Sequence, residues 1–318
     1  LIRQDTATCR LKIWHTSAVK KLGIFTLVLL LAGCAGPSNS STYTISPDDV
    51  RSISLETPST FSVSRVVVLA NGVAEIMESL NARSILVGRD ISSTEKSLES
   101  VPIVTSGHQV IPEKVLSLKP DLVIIDASSG PRAAIDQIRS AGVKVIQTPE
   151  SWNLADINVK IRAVGEAIGA NKGAEALIFA MEQGSSTASV SNKPRVAFLY
   201  LRGTSSVYLI GGPGSGADSL LQSLGAVDVG AQILDRPFNT LTAESLATLN
   251  PDVILVMSKG LESVGGVQGL IKLPGVAQTN AGKNSAVIDV DDSLLLSFGP
   301  RTPSLLDQLA KALKEVAP

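Results

Sequence analysis

Two stretches of this sequence are near copies of one another: Pro112-Glu-Lys-Val-Leu-Ser-Leu-Lys-Pro-Asp-Leu-Val-Ile-Ile125 and Ala243-Glu-Ser-Leu-Ala-Thr-Leu-Asn-Pro-Asp-Val-Ile-Leu-Val256. Aligned, Glu113 falls on Glu244, Leu118 on Leu249, and Pro120-Asp121 on Pro251-Asp252. Each copy reads as a short helix that must stop before its proline, because proline has no N–H to continue the ladder. A run of apolar residues follows, and a strand that is apolar on both sides belongs in a parallel sheet covered on both faces. Upstream of each copy lies a further strand, Arg65-Val-Val-Val-Leu69 or Arg195-Val-Ala-Phe-Leu199, with a helical segment after it at Val73–Leu80 or Ala217–Leu224. The order β-α-β-α-β therefore occurs twice, which predicts an α/β chain of two Rossmann-like βαβ lobes.

Between the lobes, Ile157, Ile161, Val164 and Ile168, then Ala174, Leu177, Ile178 and Met181, recur at spacings of three and four. That spacing is the apolar stripe of a helix. It predicts one long interlobe helix over 153–186, bent where Gly165, Gly169 and Gly173 fall, between an N-terminal lobe (61–152) and a C-terminal lobe (187–318). A single helix joining two lobes leaves a cleft with little hinge freedom.

At the other end of the sequence, Lys20-Lys21 precedes the apolar run Leu22–Gly33, which Cys34 closes. A basic flank and an apolar run too short to cross a bilayer make a secretory signal, residues 1–33, with 1–19 reading as an overextended start. Leu31-Ala32-Gly33-Cys34 resembles the bacterial lipobox, which implies acylation of Cys34 and an anchor on the outer side of the cytoplasmic membrane. Residues 34–60, rich in Ser, Thr, Pro, Gly and Asn, read as a flexible tether, and the folded body is expected to begin near Phe61.

Composition removes several functions. The formal net charge is −1 and the basic residues are scattered, so nucleic acid has no electrostatic footprint. Two cysteines build neither a disulfide framework nor a cysteine zinc site, and past the export signal His108 is the one imidazole, which excludes multi-histidine metal sites. Gly211-Gly-Pro-Gly-Ser-Gly216 follows a strand and precedes a helix but lacks the Lys-Ser/Thr end of a phosphate loop, and no GxSxG elbow occurs. A binding protein, not an enzyme, is expected, with the glycines letting backbone approach a flat ligand.

The chain as a whole resembles the helical-backbone class of substrate-binding proteins of ABC importers, on the lipobox, the doubled Glu-x-x-Leu/Ala-x-Leu-x-Pro-Asp segment and the interlobe stripe. The resemblance covers about 61–317 and implies a monomer that docks onto an ABC permease, itself driven by an ATPase, through an acidic residue on each lobe. Glu113 and Glu244 match those positions; the same two charges also suit the first turn of their helices.

Cargo is narrowed by three motifs. Ser106-Gly-His108 lies in a strand-to-helix loop, where α/β sheets place ligands. In Phe198-Leu-Tyr-Leu-Arg202, Tyr200 and Arg202 share one side of a strand, and a guanidinium beside a phenol favours the phenolate that ferric iron binds. Phe298-Gly-Pro-Arg-Thr-Pro303 closes the set. Together they resemble the haem-binding lipoproteins of haem ABC importers, the HmuT-like group, and the resemblance implies haem as transported cargo with His108 and Tyr200 as axial ligands and Arg202 behind the tyrosine. Candidate further haem contacts are Tyr208; Met257, which reads first as core; and Arg301, which serves either a propionate or the start of the last helix. Ferric siderophores and cobalamin stay open as cargo. The single imidazole argues against zinc or manganese.

Overall fold

A computed structural model of the chain describes residues 42–56, 60–203 and 209–317. The export signal, Cys34 and Tyr208 lie outside the described residues. Two sheets follow from the two repeats. The N-terminal lobe holds β2 (Val66–Val68), β3 (Leu86–Arg89), β6 (Leu122–Ile125) and β7 (Lys144–Gln147), all parallel, in the order β3-β2-β6-β7. A short antiparallel hairpin, β4 (Thr105–Ser106) and β5 (Gln109–Val110), stands off this sheet. Helices α1 (Val73–Ser79), α2 (Pro112–Ser117) and α3 (Arg132–Ser140) complete the lobe.

In the C-terminal lobe the strands are β8 (Arg195–Tyr200), β9 (Leu209–Gly211), β10 (Val227–Asp228), β11 (Phe238–Thr240), β12 (Val253–Met257) and β13 (Val287–Val290). They order as β13-β12-β8-β9-β11, with β10 also paired to β8. The core strands β8, β12 and β13 are parallel, and β9 and β11 return antiparallel. Helices α6 (Ala217–Ser223), α7 (Ala243–Leu249), α8 (Ser258–Ser263), α9 (Gly266–Leu270), α10 (Asn280–Asn284), α11 (Asp292–Leu295) and α12 (Thr302–Val316) cover it.

The doubled segment is repeated down to its hydrogen bonds. In each lobe the repeated strand lies beside the first strand, β6 on β2 and β12 on β8. Asp121 accepts from the backbone N–H of Arg65 at 3.1 Å, and Asp252 from that of Arg195 at 3.2 Å. The same arginines reach the ends of α2 and α7, at Leu118 O (2.6 Å) and Leu249 O (2.8 Å). Lys119 and Asn250, each just before the proline, both turn left-handed, with φ of 49° and 42°. Pro-Asp thus ends the helix and starts the strand while its carboxylate holds the neighbouring strand in register.

Two expectations are corrected. The tether does not run to residue 60: Thr42–Ile45 form β1, which pairs in parallel with β13 at the edge of the C-terminal sheet. Tyr43, Thr44 and Ile45 are aromatic and β-branched, good strand formers, and Ile45 is fully buried. The chain then crosses both lobes, bonding Ser304 Oγ through the N–H of Arg51 and Ser79 O through the N–H of Leu55. Nor is the interlobe segment one helix. It is α4 (Ile157–Ile168) and α5 (Asn171–Gln183), folded back on each other so that Asn158 meets Glu182 and Arg162 pairs with Glu175 at 2.7 Å. The reversal falls at Gly169, in the left-handed region with φ 78° and with Ser62 so close that a Cβ would lie 2.7 Å from its Oγ. The apolar stripe was real, but it belongs to the facing sides of a helical hairpin.

The lobes share one core, which runs from Val66, Val68 and Ile124 through α4 to Phe198, Ile254 and Leu309. Across the seam, Arg301 at the start of α12 lies between two carboxylates of the N-terminal lobe, Glu75 at 3.0 Å and Glu95 at 2.9 Å, and its backbone N–H donates to Glu75 as well (2.8 Å). Arg301 and Glu75 are only 5% and 4% exposed. Lys160 of α4, 3% exposed, donates to Ser297 O at 2.6 Å and Asn71 O at 3.2 Å, and the Asn71 amide donates to Leu296 O at 2.8 Å. Desolvation dominates the acid–base behaviour here. It pushes the Glu95 carboxyl up to about 7 against the pull of Arg301, and the Lys160 amine down to about 8 despite Glu75 and Asp126.

Removing one member of such a cluster leaves a buried charge uncompensated, so Arg301→Ala should lower unfolding free energy in urea by about 3–5 kcal/mol. The pH dependence has a definite sign. Between the ordinary glutamate value and about 7, folded Glu95 keeps a proton that the unfolded chain has released, so its contribution is complete at acid pH and lost as pH rises through about 7. The wild-type melting temperature should therefore fall relative to Glu95→Gln between pH 5 and pH 8; parallel curves would contradict the assignment.

Candidate functional site

In open parallel sheets, ligands sit beyond the carboxyl ends of the strands, and of the residues singled out in the sequence Tyr200 and Met257 lie at such ends. In the N-terminal lobe, β2, β3 and β6 run out at Leu69, Asp90 and Asp126. Asp90 is held by Ser92 and Ser93 hydroxyls, and Asp126 by Ser128 and Ser129 hydroxyls and the N–H of Asn71. Both carboxylates are thus committed to closing their own turns. The recess between them is lined by Asp90, Ser92, Thr105, Ser128, Ser129 and His108.

His108 does not sit in a plain strand-to-helix loop. It and Gly107 form the two-residue turn of the β4–β5 hairpin, and the hairpin is held down by Val110 N–H to Gly130 O (2.8 Å) and Ile111 N–H to Val104 O (3.0 Å). The imidazole is exposed at the rim of the recess. Ile91 is exposed, and its backbone N–H bonds Thr105 Oγ1 at 3.1 Å. A second recess adjoins through Asn71 and Ser128 and is walled by Trp152 and the stem of Lys160.

In the C-terminal lobe Tyr200 is the last residue of β8 and half-buried. Its hydroxyl accepts a hydrogen bond from the Arg202 guanidinium at 2.8 Å, and the same guanidinium stands 5.0 Å from the ring centroid. The i, i+2 spacing delivers what the sequence reading asked of it, a cation on the phenol oxygen. Met257 ends the adjacent parallel strand one step past the Leu199–Val256 pair, which puts it beside Tyr200; it is half-buried and packs on the core. Of the two roles open to Arg301, the start of α12 is the one it fills, and its guanidinium is spent on Glu75, Glu95 and Ser293 O. Glu113 and Glu244 take the same place, exposed in the first turn of α2 and α7.

The glycine run after β9 leaves no anion cradle: the N–H groups of Gly214 and Gly216 already donate to Asp218, at 2.8 and 3.0 Å. Among the described residues, no group of three or more His, Cys, Asp or Glu is placed to hold a bare metal ion. Sequence reading missed the seam cluster of Glu75, Glu95 and Lys160. A signal was there, since Glu75 and Lys160 are charges set inside apolar helical stripes, Val73–Met77 and Ile157–Val164. It also missed Phe238, whose ring packs edge-on to Tyr200 at 5.6 Å and to Phe198 at 6.2 Å.

Comparison with known proteins agrees with this layout. Residues 66–294 match the family described as periplasmic binding protein. An uncharacterized ABC transporter substrate-binding lipoprotein of Bacillus subtilis, YvrC, is 27% identical over 92% of this chain and 97% of its own. The periplasmic heme-binding protein RhuT of Roseiflexus sp. RS-1, in apo form, is 35% identical with a TM-score of 0.76, covering 81% of this chain and all of its own. The heme-binding protein HmuT is 32% identical with a TM-score of 0.75 over 86% of this chain and 98% of its own. Solved forms of HmuT include alanine variants at a histidine, at a tyrosine, and at an arginine two positions beyond that tyrosine.

Proposed function

This chain belongs to the periplasmic binding protein family, and from that premise we propose that it is an exported lipoprotein that captures haem in the interlobe cleft and hands it to an ABC permease. His108 and Tyr200 bind the iron from the two lobes, Arg202 supports the tyrosine, and Cys34 carries the lipid anchor. One observation carries the reading: a phenol whose oxygen already accepts from a guanidinium at 2.8 Å, at the carboxyl end of a core strand. Ferric iron is a hard cation that prefers a charged oxygen donor. A fixed positive neighbour stabilises the phenolate, and removing such a supporting partner typically costs ten- to a hundredfold in metal affinity.

The cargo itself fits the surroundings. A porphyrin is flat and apolar, and Met257 and Phe238 offer apolar surface beside Tyr200. HmuT was solved with alanine in place of a tyrosine and of an arginine two positions on, the same spacing as Tyr200-Leu-Arg202 here. The chain's role in this reading is to bind the cargo and deliver it.

Delivery needs two points of attachment to fix orientation. Glu113 and Glu244, exposed at equivalent places in the repeated helices, are those points, and arginine forks in a permease pocket are their natural partners. An exposed ion pair contributes only about 0–1 kcal/mol, which makes the pair, not either residue, the unit of function.

Two outcomes are expected. Hemin added to the purified protein should give a one-to-one complex with a shifted Soret band. Tyr200→Phe should remove the tyrosinate charge-transfer feature, His108→Ala should alter the ferric spectrum, and the double variant should bind at least about tenfold more weakly, roughly 1.4 kcal/mol or more. A silent Soret region, combined with quenching of Trp152 by a ferric siderophore, would overturn the cargo. Separately, Glu113→Ala with Glu244→Ala should abolish haem-dependent stimulation of the importer's ATPase in reconstituted membranes while hemin affinity stays unchanged; full stimulation would reduce both residues to helix-terminal charges.

A further inference from the structure

The tyrosine proposed as an iron ligand is not held by its arginine alone. Behind it stands a ladder of three aromatic rings, Phe198, Phe238 and Tyr200. Phe238 lies 6.2 Å from Phe198 at an interplanar angle of 64° and 5.6 Å from Tyr200 at 63°, the edge-to-face geometry that aromatic quadrupoles favour. Tyr200 is thereby gripped from two sides, by the Arg202 guanidinium 5.0 Å from its ring centroid and by the Phe238 ring.

The ladder accounts for the first two residues of the glycine run, Gly211 and Gly212. Phe238 opens β11 and pairs directly with Gly211 of β9. A Cβ on Gly211 would come within 2.6 Å of the Phe198 ring, so a side chain there would drive apart the rings that must stack. A Cβ on Gly212 would lie 2.4 Å from Arg236 O, and the Gly212 N–H bonds Pro237 O at 2.9 Å, clamping the segment that leads into Phe238. Two glycines thus admit one phenylalanine behind one tyrosine.

We infer that Phe238 is a positioning residue for the cargo site: it fixes the Tyr200 ring so that the phenol oxygen is presented to the iron, and Gly211-Gly212 are the residues that let it approach. The inference rests on the haem reading above but is separable from it, because the orientation of Tyr200 can be read without haem.

The test uses Phe238→Leu, which keeps the site apolar and removes the ring, together with Phe238→Trp, which restores an aromatic edge. In the haem-free protein carrying ring-labelled tyrosine, with signals assigned by single Tyr→Phe changes, Phe238→Leu should shift the Tyr200 resonance and leave that of Tyr43 in place. With hemin bound, Phe238→Leu should shift the tyrosinate charge-transfer band and speed hemin release by roughly three- to tenfold. Phe238→Trp should recover most of both, and in a Tyr200→Phe background Phe238→Leu should have no further effect on the spectrum. If Phe238→Leu leaves the Tyr200 resonance, the band and the release rate unmoved while Tyr200→Phe still abolishes the tyrosinate feature, the positioning role is wrong and the haem reading survives. If the resonance shifts but Tyr200→Phe is spectrally silent with hemin, the ring is positioned as described and the ligand assignment fails instead. Should Phe238→Leu not fold, Phe238→Trp with a normal Tyr200 signal but a slipped charge-transfer band would equally overturn the inference.

Discussion

Arg301 sits between Glu75 and Glu95 at the seam of the two lobes, with all three side chains largely out of water. Such a cluster gains little net stability over a well-packed apolar joint, because desolvation consumes most of the Coulombic attraction. What it supplies is registration. The Arg301 Nη2 group, hydrogen-bonded to Glu75, Glu95 and Ser293 O, ties the start of α12 to the N-terminal lobe, and Lys160, reaching a carbonyl on each lobe, fixes α4 in the same frame. Any rotation of one lobe on the other would strand several buried polar groups at once. The continuous apolar core below the cluster and the N-terminal segment that crosses both lobes reinforce it.

Everything proposed for the cleft depends on that fixed frame. His108 is carried by a hairpin turn of one lobe and Tyr200 by the end of a core strand in the other, so the gap between them is set by the seam and not by either lobe alone. A hexacoordinate iron tolerates little error in ligand spacing. Two ligands on freely hinged lobes would have to find that spacing at an entropic cost each time cargo bound; on registered lobes the proposed pair would avoid that cost. His108 stays exposed on its hairpin turn, while Tyr200 is braced by Arg202 and Phe238.

How much of this was legible in the sequence follows from the range of the interactions. The repeat was legible because Pro-Asp before an apolar run is a local device, and each lobe uses it in the same way, down to the arginine that caps the preceding helix. Tyr200 and Arg202 were legible for the same reason, being two residues apart in sequence, although β8 ends at Tyr200 and Arg202 lies just beyond it. The interlobe stripe gave the right buried face and the wrong topology: periodicity reports which side is apolar, and only the left-handed turn at Gly169 beside Ser62 decides that the helix doubles back. Strand β1 was hidden by the Ser- and Thr-rich composition around it, since four strand-forming residues weigh little in a window of twenty-seven. The Arg301 cluster joins residues 206 and 226 positions apart, and Phe238 approaches Tyr200 through a second strand pairing, so neither leaves a local trace.

The most direct test of the account is a crystal structure of the protein with hemin, phased so that the iron is located by its own anomalous scattering. The account expects one iron in the cleft with His108 nitrogen and Tyr200 oxygen as its axial ligands, Arg202 still on the phenol oxygen, and the Arg301–Glu75–Glu95 cluster unchanged. An iron bound elsewhere, or one ligated in the cleft by neither His108 nor Tyr200, would contradict it.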